Sequence, residues 1–541
     1  MALVHHPGTP GQTDCGFLIL DDMKKRNIIL IAIGLSLSAV ASAQESAGLV
    51  RQAGIEIDAA RALWMESSNA AGMSITPLNK YSIVGLGYST SDGDFKMTQQ
   101  GENEKTVGFS TNGATNIGKT YLWGGFEYGN ITQKDTRFVT NIFDPFRDMP
   151  YYVADSVASK LKKQSYDLNV RVAFPQMWDF LTAGCDLRYF TNTGAKQRDP
   201  RSVTYYMTVA ATPSFVFELS ENNHLGLSLN YEYLYERSTF NRSDTEVDYP
   251  VYIMRGLGNY SQGVVSGSVG VGTFFYKGNK LGAALQYGYS SNGSFSALLD
   301  AGYSYKVEDA WQTPTKKQRM GSVKQNMWEG SLQLLSDGDS FLNKVTVSFA
   351  DKKTDGIEYI QVLDQSFEVS EWVTKAKYVR SCYSYTTLAV DYELYAKNED
   401  GYSWRAGFNG EYSDKFDEYY LPASTLKAEN LLMNMYAKKN FALCRKSSLL
   451  TGVNVGYNAN LEGEYNYSGS YSESKVVKEM YAKDILFMAS DYVKFGAQAC
   501  FSTLVGPRTS FFVEAKCQYF VPSGSGFDNR LFTDFSVGIT F

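Results

Sequence analysis

From residue 80 to the end of the chain, apolar and polar side chains alternate in short runs separated by turn-forming residues. The last run, residues 531–541, is apolar at its odd-numbered positions apart from Thr533, and mostly small or polar at its even-numbered positions. A period of two places successive side chains on opposite faces of a β-strand. The same pattern recurs at residues 225–236, 265–275, 388–395 and 449–458. We therefore predict a chain built mainly of half-exposed strands.

The connections between these runs have two lengths. Tight turns are predicted at residues 221–224, 277–279, 336–340, 398–401, 444–447 and 506–508. Long connections are predicted at about residues 133–160, 238–261, 352–376, 413–427 and 465–486. Short and long connections in alternation are typical of antiparallel outer-membrane β-barrels, whose periplasmic turns are short and whose external loops are long. Within residues 280–325 the pattern leaves open whether Asn292-Gly293 is a hairpin turn or a bulge.

These connections predict the overall architecture. We expect one all-β, antiparallel transmembrane barrel over residues 79–541. Its strand number should be even, about 18 within a range of about 14 to 18, with both termini in the periplasm. The expected location is the outer membrane of a Gram-negative cell.

Composition agrees with this prediction. Tyr (39) and Phe (32) are abundant, and aromatic residues make up 14% of the 541 residues, as expected for a barrel with an aromatic girdle at each membrane surface. The mean hydropathy of −0.27 is too polar for a helical membrane protein, whereas a barrel conceals its apolar face by alternation. The net charge of −6 provides no basic surface for nucleic acid.

The start of the chain is predicted to direct export. Residues 1–22 are interpreted as a start-site extension that precedes Met23. Residues 23–43 have the basic start, short apolar core and small-residue end of a secretory signal peptide. Cleavage is expected between Ala43 and Gln44.

Residues 44–78 are predicted to form a helical segment. Four apolar side chains share one stripe at helical spacing: Ile57, Ala60, Leu63 and Trp64. Residues 67–73, reading Ser-Ser-Asn-Ala-Ala-Gly-Met, resemble the Asn-Pro-Ala-Gly-Met segment in the N-terminal hatch of long-chain fatty-acid channels, without its proline. The resemblance implies a plug in the barrel lumen. The alternative is a periplasmic helix that leads into the first strand.

Catalysis and metal binding find little support in the residue types present. Of the three His, His5 and His6 precede the export signal, and His224 lies in a predicted periplasmic turn. No His is therefore available for a Ser-His-Asp site or a His-based metal site on the outer face. The six Cys are scattered without C-x-x-C spacing. We expect a protein that is not an enzyme, with no catalytic residues, no metal and no cofactor.

Three predicted loops combine aromatic rings, prolines and charges, at residues 144–152, 248–260 and 416–422. Tyr and Arg are residue types that anchor protein partners, and Tyr also stacks on sugars. The candidate binding residues of these loops are Arg147, Tyr151, Tyr152, Tyr252, Arg255 and Tyr260. The alternative is that these rings continue the outer girdle and pack the loops together, with cation–π contacts competing for the two arginines.

The end of the chain resembles the C-terminal assembly signal of bacterial outer-membrane barrels, carried here by Phe535, Val537, Ile539 and Phe541. The whole mature chain resembles an uncharacterised family of Bacteroidota outer-membrane barrels, most recognisably at residues 62–72 and 255–258. That resemblance implies an outer-membrane location, often beside genes for nutrient or iron uptake. It supplies no established binding residues.

The favoured function is an accessory barrel in nutrient acquisition, with iron or a glycan as candidate nutrients, that passes or binds a small solute or docks a surface receptor. One alternative is a hydrophobic-substrate channel of the fatty-acid type. Another is a structural or adhesin-like barrel that conducts nothing. The expected partners are outer-membrane lipid, the barrel-assembly machinery and a surface receptor or lipoprotein.

Overall fold

The first strand, β1 (Tyr81–Asp92), pairs antiparallel with β2 (Asn103–Ile117) on one side and with the last strand, β21 (Arg530–Thr540), on the other. Leu86 of β1 thus lies opposite Phe109 and also opposite Val537. At the end of the chain, the backbone N–H of Phe541 donates to the carbonyl of Ser82 at 2.8 Å. The sheet therefore closes on itself and leaves no free edge, which removes the unpaired backbone groups of an open sheet.

The computed structural model describes residues 50–541 except 245, 267–271, 292–293, 314–315, 367–369 and 525. The predicted signal peptide and its cleavage site at Ala43 and Gln44 lie outside these residues. The remaining strands are β3 Thr120–Thr136, β4 Val153–Ala154, β5 Ser159–Ala173, β6 Leu181–Lys196, β7 Arg201–Ser220, β8 Asn223–Asn241, β9 Tyr249–Gly256, β10 Asn259–Val265, β11 Thr273–Ser291, β12 Phe295–Thr313, β13 Gln318–Asp337, β14 Phe341–Asp364, β15 Glu371–Asn398, β16 Gly401–Tyr419, β17 Ser424–Ala442, β18 Ser447–Tyr467, β19 Asp491–Gly506 and β20 Thr509–Ser523.

Eighteen of these strands form the barrel, and β4, β9 and β10 form a separate three-stranded sheet. Every barrel strand pairs antiparallel with its neighbours. The prediction of a closed antiparallel barrel of about 18 strands is therefore confirmed. The ends of the barrel differ, as predicted. The "terminal end" carries the start of β1, the end of β21 and mostly short turns, and the "loop end" carries the long connections at 137–158, 242–272 and 468–490.

Three of the predicted connections are wrong. Residues 277–279 are not a turn but lie within β11, where Lys277 pairs with Tyr235 and Asp309 in an unbroken ladder. The predicted loops at 352–376 and 413–427 are largely strand, since β14 continues to Asp364 and β16 to Tyr419. Charged residues such as Lys352, Lys353 and Asp417 interrupt those strand ends, so the apolar alternation there is weaker than in the rest of the barrel.

The Asn292-Gly293 alternative falls outside the described residues, although the flanking strands resolve the connectivity. Ser291 pairs with Phe295 across β11 and β12, which form a hairpin at this point.

The outer surface of the barrel is apolar and the inner surface polar. On β11, Leu281 is 61% exposed, whereas Gln286 on the opposite face is 1% exposed. Large apolar side chains recur at outward positions of the other strands, as with Leu229, Trp328, Met435 and Phe495. A continuous apolar exterior of this kind is costly in water and matches the surface of a barrel in lipid.

Helices are few and short. Near the start of the described chain lie an α-helix, Gln52–Arg61, and two 3₁₀ turns, Leu63–Glu66 and Ala71–Ser74. In the connection 468–490, a π-helical turn, Val476–Tyr481, continues into an α-helix, Ala482–Met488. Within the described ranges, no helix is long and apolar enough to cross a membrane.

Candidate functional site

Residues 50–78, the "N-terminal segment", lie in the lumen at the terminal end of the barrel. Glu56 of the helix accepts hydrogen bonds from Tyr402 at 2.6 Å, from Lys438 at 2.9 Å and from Arg405 at 3.2 Å. Burial by itself raises the pKa of Glu56, but Lys438 and the Tyr402 hydroxyl outweigh it and hold that pKa below its ordinary value. Glu56 is therefore an ionised anchor between β16 and β17.

Further ion pairs fasten the same segment to other strands. Arg61 contacts Asp337 on β13 at 2.7 Å, and Glu66 contacts Lys344 on β14 at 2.6 Å. On the other side of the lumen, Arg171 of β5 donates to the carbonyl of Met65 at 2.7 Å. The segment thus spans the lumen, held largely by charged hydrogen bonds.

The centre of the N-terminal segment is held to the barrel wall by close packing as well as by hydrogen bonds. Trp64 is buried, and a Cβ added at Gly288 of β11 would lie 2.6 Å from its ring. Asn69 donates to the side chain of Gln286 at 2.9 Å and to the carbonyl of Phe215 at 3.0 Å. These contacts account for the recognisable sequence at 62–72, whose Trp and Asn fix the segment to the barrel wall.

A second insertion enters from the loop end. Arg147, in the connection 137–158, is 7% exposed and forms an ion pair with Glu236 of β8 and, through Nε, a 3.1 Å hydrogen bond with Glu308 of β12. Its guanidinium also lies over the rings of Tyr206 at 5.6 Å and Tyr276 at 4.9 Å. Arg147 therefore lies inside the barrel and anchors this connection to the wall.

The hairpin of β9 and β10 is part of the same insertion. Its tip residue Leu257 is buried against Tyr419, Leu426 and Ile485. Gly256 and Gly258 flank the tip with φ of 112° and 87°, and a Cβ on either would lie within 2.6 Å of a tyrosine hydroxyl, that of Tyr383 or Tyr465. Glycine is required at both positions by backbone conformation and by space. These contacts account for the second recognisable sequence, at 255–258.

The other predicted loop residues differ in placement. Tyr151 and Tyr152 are buried in the lumenal core, where Tyr152 accepts a 2.8 Å hydrogen bond from Gln99. Tyr260 stacks on Tyr471 with ring centroids 4.4 Å apart, and its ring meets Tyr252 edge-on at 4.9 Å. Arg255 is 47% exposed and pairs with Glu358 at 3.1 Å. These contacts favour the alternative that the rings pack the loops together, and a role in binding stays a prediction.

Between the insertions and the wall lies a lumenal cavity of about 910 Å³. Its wall is the arc of strands from β19 through β20, β21, β1, β2, β3 and β5 to β7, and it lies toward the loop end of the lumen. Residues 95–100 and 139–146 of two connections and Phe487 of a third complete it. The cavity is therefore on the loop side of the lumen, whereas the N-terminal segment occupies the terminal side.

Aromatic rings form one continuous surface of this cavity, here called the "aromatic lane". Successive ring centroids lie 4.7 Å apart from Phe487 to Phe95, 5.5 Å from Phe95 to Tyr492, 5.6 Å from Tyr492 to Phe520 and 5.4 Å from Phe520 to Phe532. The lane thus runs from the loop helix Ala482–Met488 to the last strand of the barrel.

A second aromatic group occupies the far end of the arc of strands. Phe143 lies 5.3 Å from Tyr206 and 6.4 Å from Phe190, and the ammonium of Lys163 lies 4.8 Å above the Phe143 ring.

Charged side chains of both signs share the cavity lining. The cations are Lys163, Lys516 and Arg530, and the anions are Glu104, Asp144 and Asp534. Arg530 donates to Ser91 at 3.1 Å and to the carbonyl of Gly101 at 3.0 Å, while its buried Nε has no hydrogen-bond partner among the described residues. This arrangement can bind a ligand that offers both apolar and polar groups.

Asp144, Pro145 and Phe146 of the cavity lie in the predicted loop 144–152. The other cavity residues were not among the sequence candidates, although one signal was present. Phe532 is a large ring on the face of the last strand that is otherwise small or polar. The predicted assembly residues Phe535 and Ile539 lie on the opposite, outward face of that strand, where they are exposed, and the backbone of Phe541 closes the barrel against Ser82. Among the described residues, no group of three or more His, Cys, Asp and Glu side chains is placed to hold a metal ion.

Comparison with protein families gives a match over residues 70–541 to a family of unknown function, DUF6850. The chain belongs to this family. The matched range includes every barrel strand and begins within the N-terminal segment, just after Asn69. No curated protein matches the DUF6850 chain.

Several solved structures are similar to the DUF6850 barrel. They include BauA, the ferric preacinetobactin receptor of Acinetobacter baumannii, with 10% identity and a TM-score of 0.40, covering 85% of this chain and 80% of that one. The copper transporter OprC gives 8% identity and a TM-score of 0.39, with coverage of 85% and 80%. The outer membrane transporter YddB of Escherichia coli gives 9% identity and a TM-score of 0.37, with coverage of 84% and 80%.

Proposed function

We propose that this protein is an outer-membrane barrel for nutrient acquisition that binds a small solute in the lumenal cavity and passes it inward when the N-terminal segment moves. The observation that carries the proposal is the order of features along the lumen. The cavity lies toward the loop end, and the N-terminal segment lies beyond it, toward the terminal end. A solute that enters from the loop end meets the binding surface first and the closure second.

The apolar exterior and the unequal ends support the membrane location and orientation. Long connections face outward and short turns face the periplasm in barrels of this class. The loop end is thus assigned to the cell exterior and the terminal end, with both termini, to the periplasm. The proposal requires binding and passage only and includes no catalytic step.

The contacts of the N-terminal segment suit a movable closure. Many of its ties to the wall, such as those of Glu56 and Arg61, are ion pairs and hydrogen bonds that water can replace when they open. Movement must also break the apolar packing of Ile57, Leu63 and Trp64 against the wall. The alternative of a structural barrel that conducts nothing requires the same segment to stay in place.

A reversible disulfide tests whether the segment moves. The hydroxyl oxygens of Ser68, on the segment, and Ser228, on β8, lie 3.0 Å apart, so Ser68→Cys with Ser228→Cys places two thiols within reach of each other. As a matched control, Ser290→Cys with Ser296→Cys joins β11 and β12, where the hydroxyls lie 3.2 Å apart without touching the segment. The single variants control for the native cysteines.

The readout is conductance of the purified protein in planar bilayers, before and after reduction. We expect the oxidised Ser68–Ser228 variant to be silent, and reduction to restore conductance to the wild-type level. The control pair should conduct equally in both states. A wild-type protein that never conducts contradicts the proposal and favours the structural barrel. Equal conductance of the oxidised and reduced Ser68–Ser228 variant contradicts movement of the segment.

A further inference from the structure

The inner face of the last strand carries an aromatic ring that the polar lumen leaves open. Phe532 faces the cavity and is 39% exposed, whereas Phe535, on the lipid-facing side of the same strand, is 49% exposed. Lipid accounts for the exposure of Phe535. Phe532 has no such surroundings, and an apolar ring open to a polar, water-accessible space is a common feature of ligand sites. Phe146 presents a second exposed ring to the same cavity.

The rings of the aromatic lane follow one another along the cavity, and this arrangement limits the shape of a ligand that contacts several of them. The aromatic lane joins five rings with no gap above 5.6 Å between successive centroids. The face of an aromatic ring is negative, so it attracts the weakly positive hydrogens of C–H bonds. A pyranose ring presents several such C–H groups on one flat face. Successive rings of the lane are inclined to each other by 50° to 66°, and Phe95 is only 4% exposed. A chain of sugar rings can therefore stack on the separate exposed rings of the lane, such as Phe532, and not on one continuous flat face.

The charged side chains of the cavity lining indicate which net charge a ligand should carry. Three cations, Lys163, Lys516 and Arg530, are balanced by three anions, Glu104, Asp144 and Asp534. A lining with no net charge gives little preference for an anion or a cation. It does supply donors and acceptors together, and the exposed amide of Gln518 supplies both from one group.

Hydroxyl groups match this lining best, because each can donate and accept a hydrogen bond. A fatty acid chain would fill the aromatic surface but leave these polar side chains without partners, which costs free energy in a desolvated site. A small inorganic ion would leave the rings unused.

We propose that the cavity binds a short neutral oligosaccharide, stacked on the aromatic lane and hydrogen-bonded by the mixed charged and amide side chains beside it. The inference rests on the proposed function and names its substrate class. The volume of about 910 Å³ lies near the upper end of small-molecule sites and accommodates a few sugar rings.

Calorimetric titration of the full chain tests this ligand class. The probes are maltotriose, cellotriose and chitotriose, with dodecanoate and 2,3-dihydroxybenzoate as representatives of an apolar and an anionic aromatic solute. The detergent must carry no sugar headgroup, since a maltoside would compete for the site. We expect at least one trisaccharide to bind, and neither dodecanoate nor 2,3-dihydroxybenzoate to displace it.

Matched phenylalanine variants locate the site. Phe532→Ala should weaken trisaccharide binding about tenfold or more, as truncation of a central aromatic contact does. Phe535→Ala, three positions along the same strand on the lipid face, should leave the affinity for the trisaccharide unchanged. Phe532→Tyr, which keeps an aromatic ring, should bind the trisaccharide with the affinity of the unaltered protein. Phe146→Ala provides a second test from a loop that lies outside the barrel ladder.

Three results overturn the inference: no binding of any trisaccharide, tight binding of dodecanoate or 2,3-dihydroxybenzoate instead, or equal losses in Phe532→Ala and Phe535→Ala. Because the conductance experiment uses no sugar, it separates the two ideas. If the barrel conducts after release of the N-terminal segment but binds no trisaccharide, the proposed function stands and the oligosaccharide proposal is wrong.

Discussion

Gly72 leaves the space that the ring of Trp64 occupies: a Cβ at Gly72 would lie 1.9 Å from Cε3 of Trp64. The two residues lie in consecutive turns of the N-terminal segment, and the Trp64 ring is also held against Gly288 of the barrel wall. One aromatic ring therefore joins two turns of the segment and the wall on which they rest.

Gly72→Ala is expected to displace the segment. The added methyl overlaps Trp64, and overpacking of a filled core typically costs about 1–3 kcal/mol. Hydrogen exchange should show loss of protection over residues 62–74, and conductance in bilayers should rise. Gly124→Ala is the control, because its new Cβ would meet nothing closer than 3.9 Å. Unchanged protection in Gly72→Ala would mean that the segment adjusts without moving.

The two arginines predicted as binding residues should differ sharply in their effect on stability. Arg147→Ala leaves the buried carboxylates of Glu236 and Glu308 without their shared partner, and breaking a buried ion pair costs about 3–5 kcal/mol. Arg255→Ala removes a half-exposed pair, worth about 1 kcal/mol or less.

Thermal unfolding and limited proteolysis of the connection 137–158 measure the difference. Arg147→Ala should lower the unfolding temperature and expose this connection to protease, while Arg255→Ala should resemble the unaltered protein. Equal effects of the two substitutions would show that Arg147 does not anchor the loop.

Gly258→Ala should dislodge the tip of the β9–β10 hairpin. At φ of 87° an alanine is strained by about 1–2 kcal/mol, and its Cβ would also lie 2.6 Å from the hydroxyl of Tyr465. Gly526→Ala imposes a similar φ of 76° with nothing within 4 Å, so it isolates the backbone strain. Hydrogen exchange should increase more over residues 249–265 in Gly258→Ala than around the substituted residue in Gly526→Ala. Equal local increases in the two variants would assign the effect to strain instead of the contact.

Docking of the loop helix should depend on pH through Asp484. Its carboxylate accepts a 2.7 Å hydrogen bond from the backbone N–H of Thr98, and burial raises its pKa to about 6. Because the folded pKa lies above the ordinary 3.8, protonation favours the docked state. The stabilisation is complete below pH 3.8 and is lost as the pH rises through about 6.

Hydrogen exchange over residues 476–490 measures this docking. Protection should fall between pH 5 and pH 7.5 in the unaltered protein. In Asp484→Asn, which keeps an oxygen acceptor for Thr98 without a charge, it should not fall. Glu473→Gln, on an exposed part of the same connection, should retain the pH dependence. Protection that is independent of pH in the unaltered protein would contradict the role of Asp484.

The local pattern of apolar and polar residues was sufficient to predict much of the barrel. It was insufficient to predict the structure where polar residues fill the strands and the lumen. Turns at 221–224 and 398–401 were predicted because apolar strands flank them. The outer parts of β14 and β15 were missed because charged residues such as Lys353 and Asp355 interrupt the apolar alternation, although the ladder pairs Asp355 with Cys382. Backbone pairing across strands, which local alternation does not reveal, extends these strands.

The sequence also could not show where the candidate binding residues would lie in the fold. Arg147 and Arg255 look alike in sequence, as single cations among rings. Arg147 is 7% exposed and meets two carboxylates, from β8 and β12, whereas Arg255 is 47% exposed and pairs with the single carboxylate of Glu358; each of these partners is more than 80 residues away. Contacts over such separations follow from closure of the barrel.

The sequence by itself determined that the chain forms paired strands with an apolar and a polar face, because a period of two acts on each strand separately. It also indicated the unequal connections and the helical start. Only the tertiary structure decided what fills the lumen: the charged ties of Glu56, the insertion held by Arg147 and the lane of rings that ends at Phe532. The physical reason is that the contacts of a lumenal side chain depend on residues that closure of the sheet brings near it. These residues are distant in the sequence, so no local periodicity reveals them.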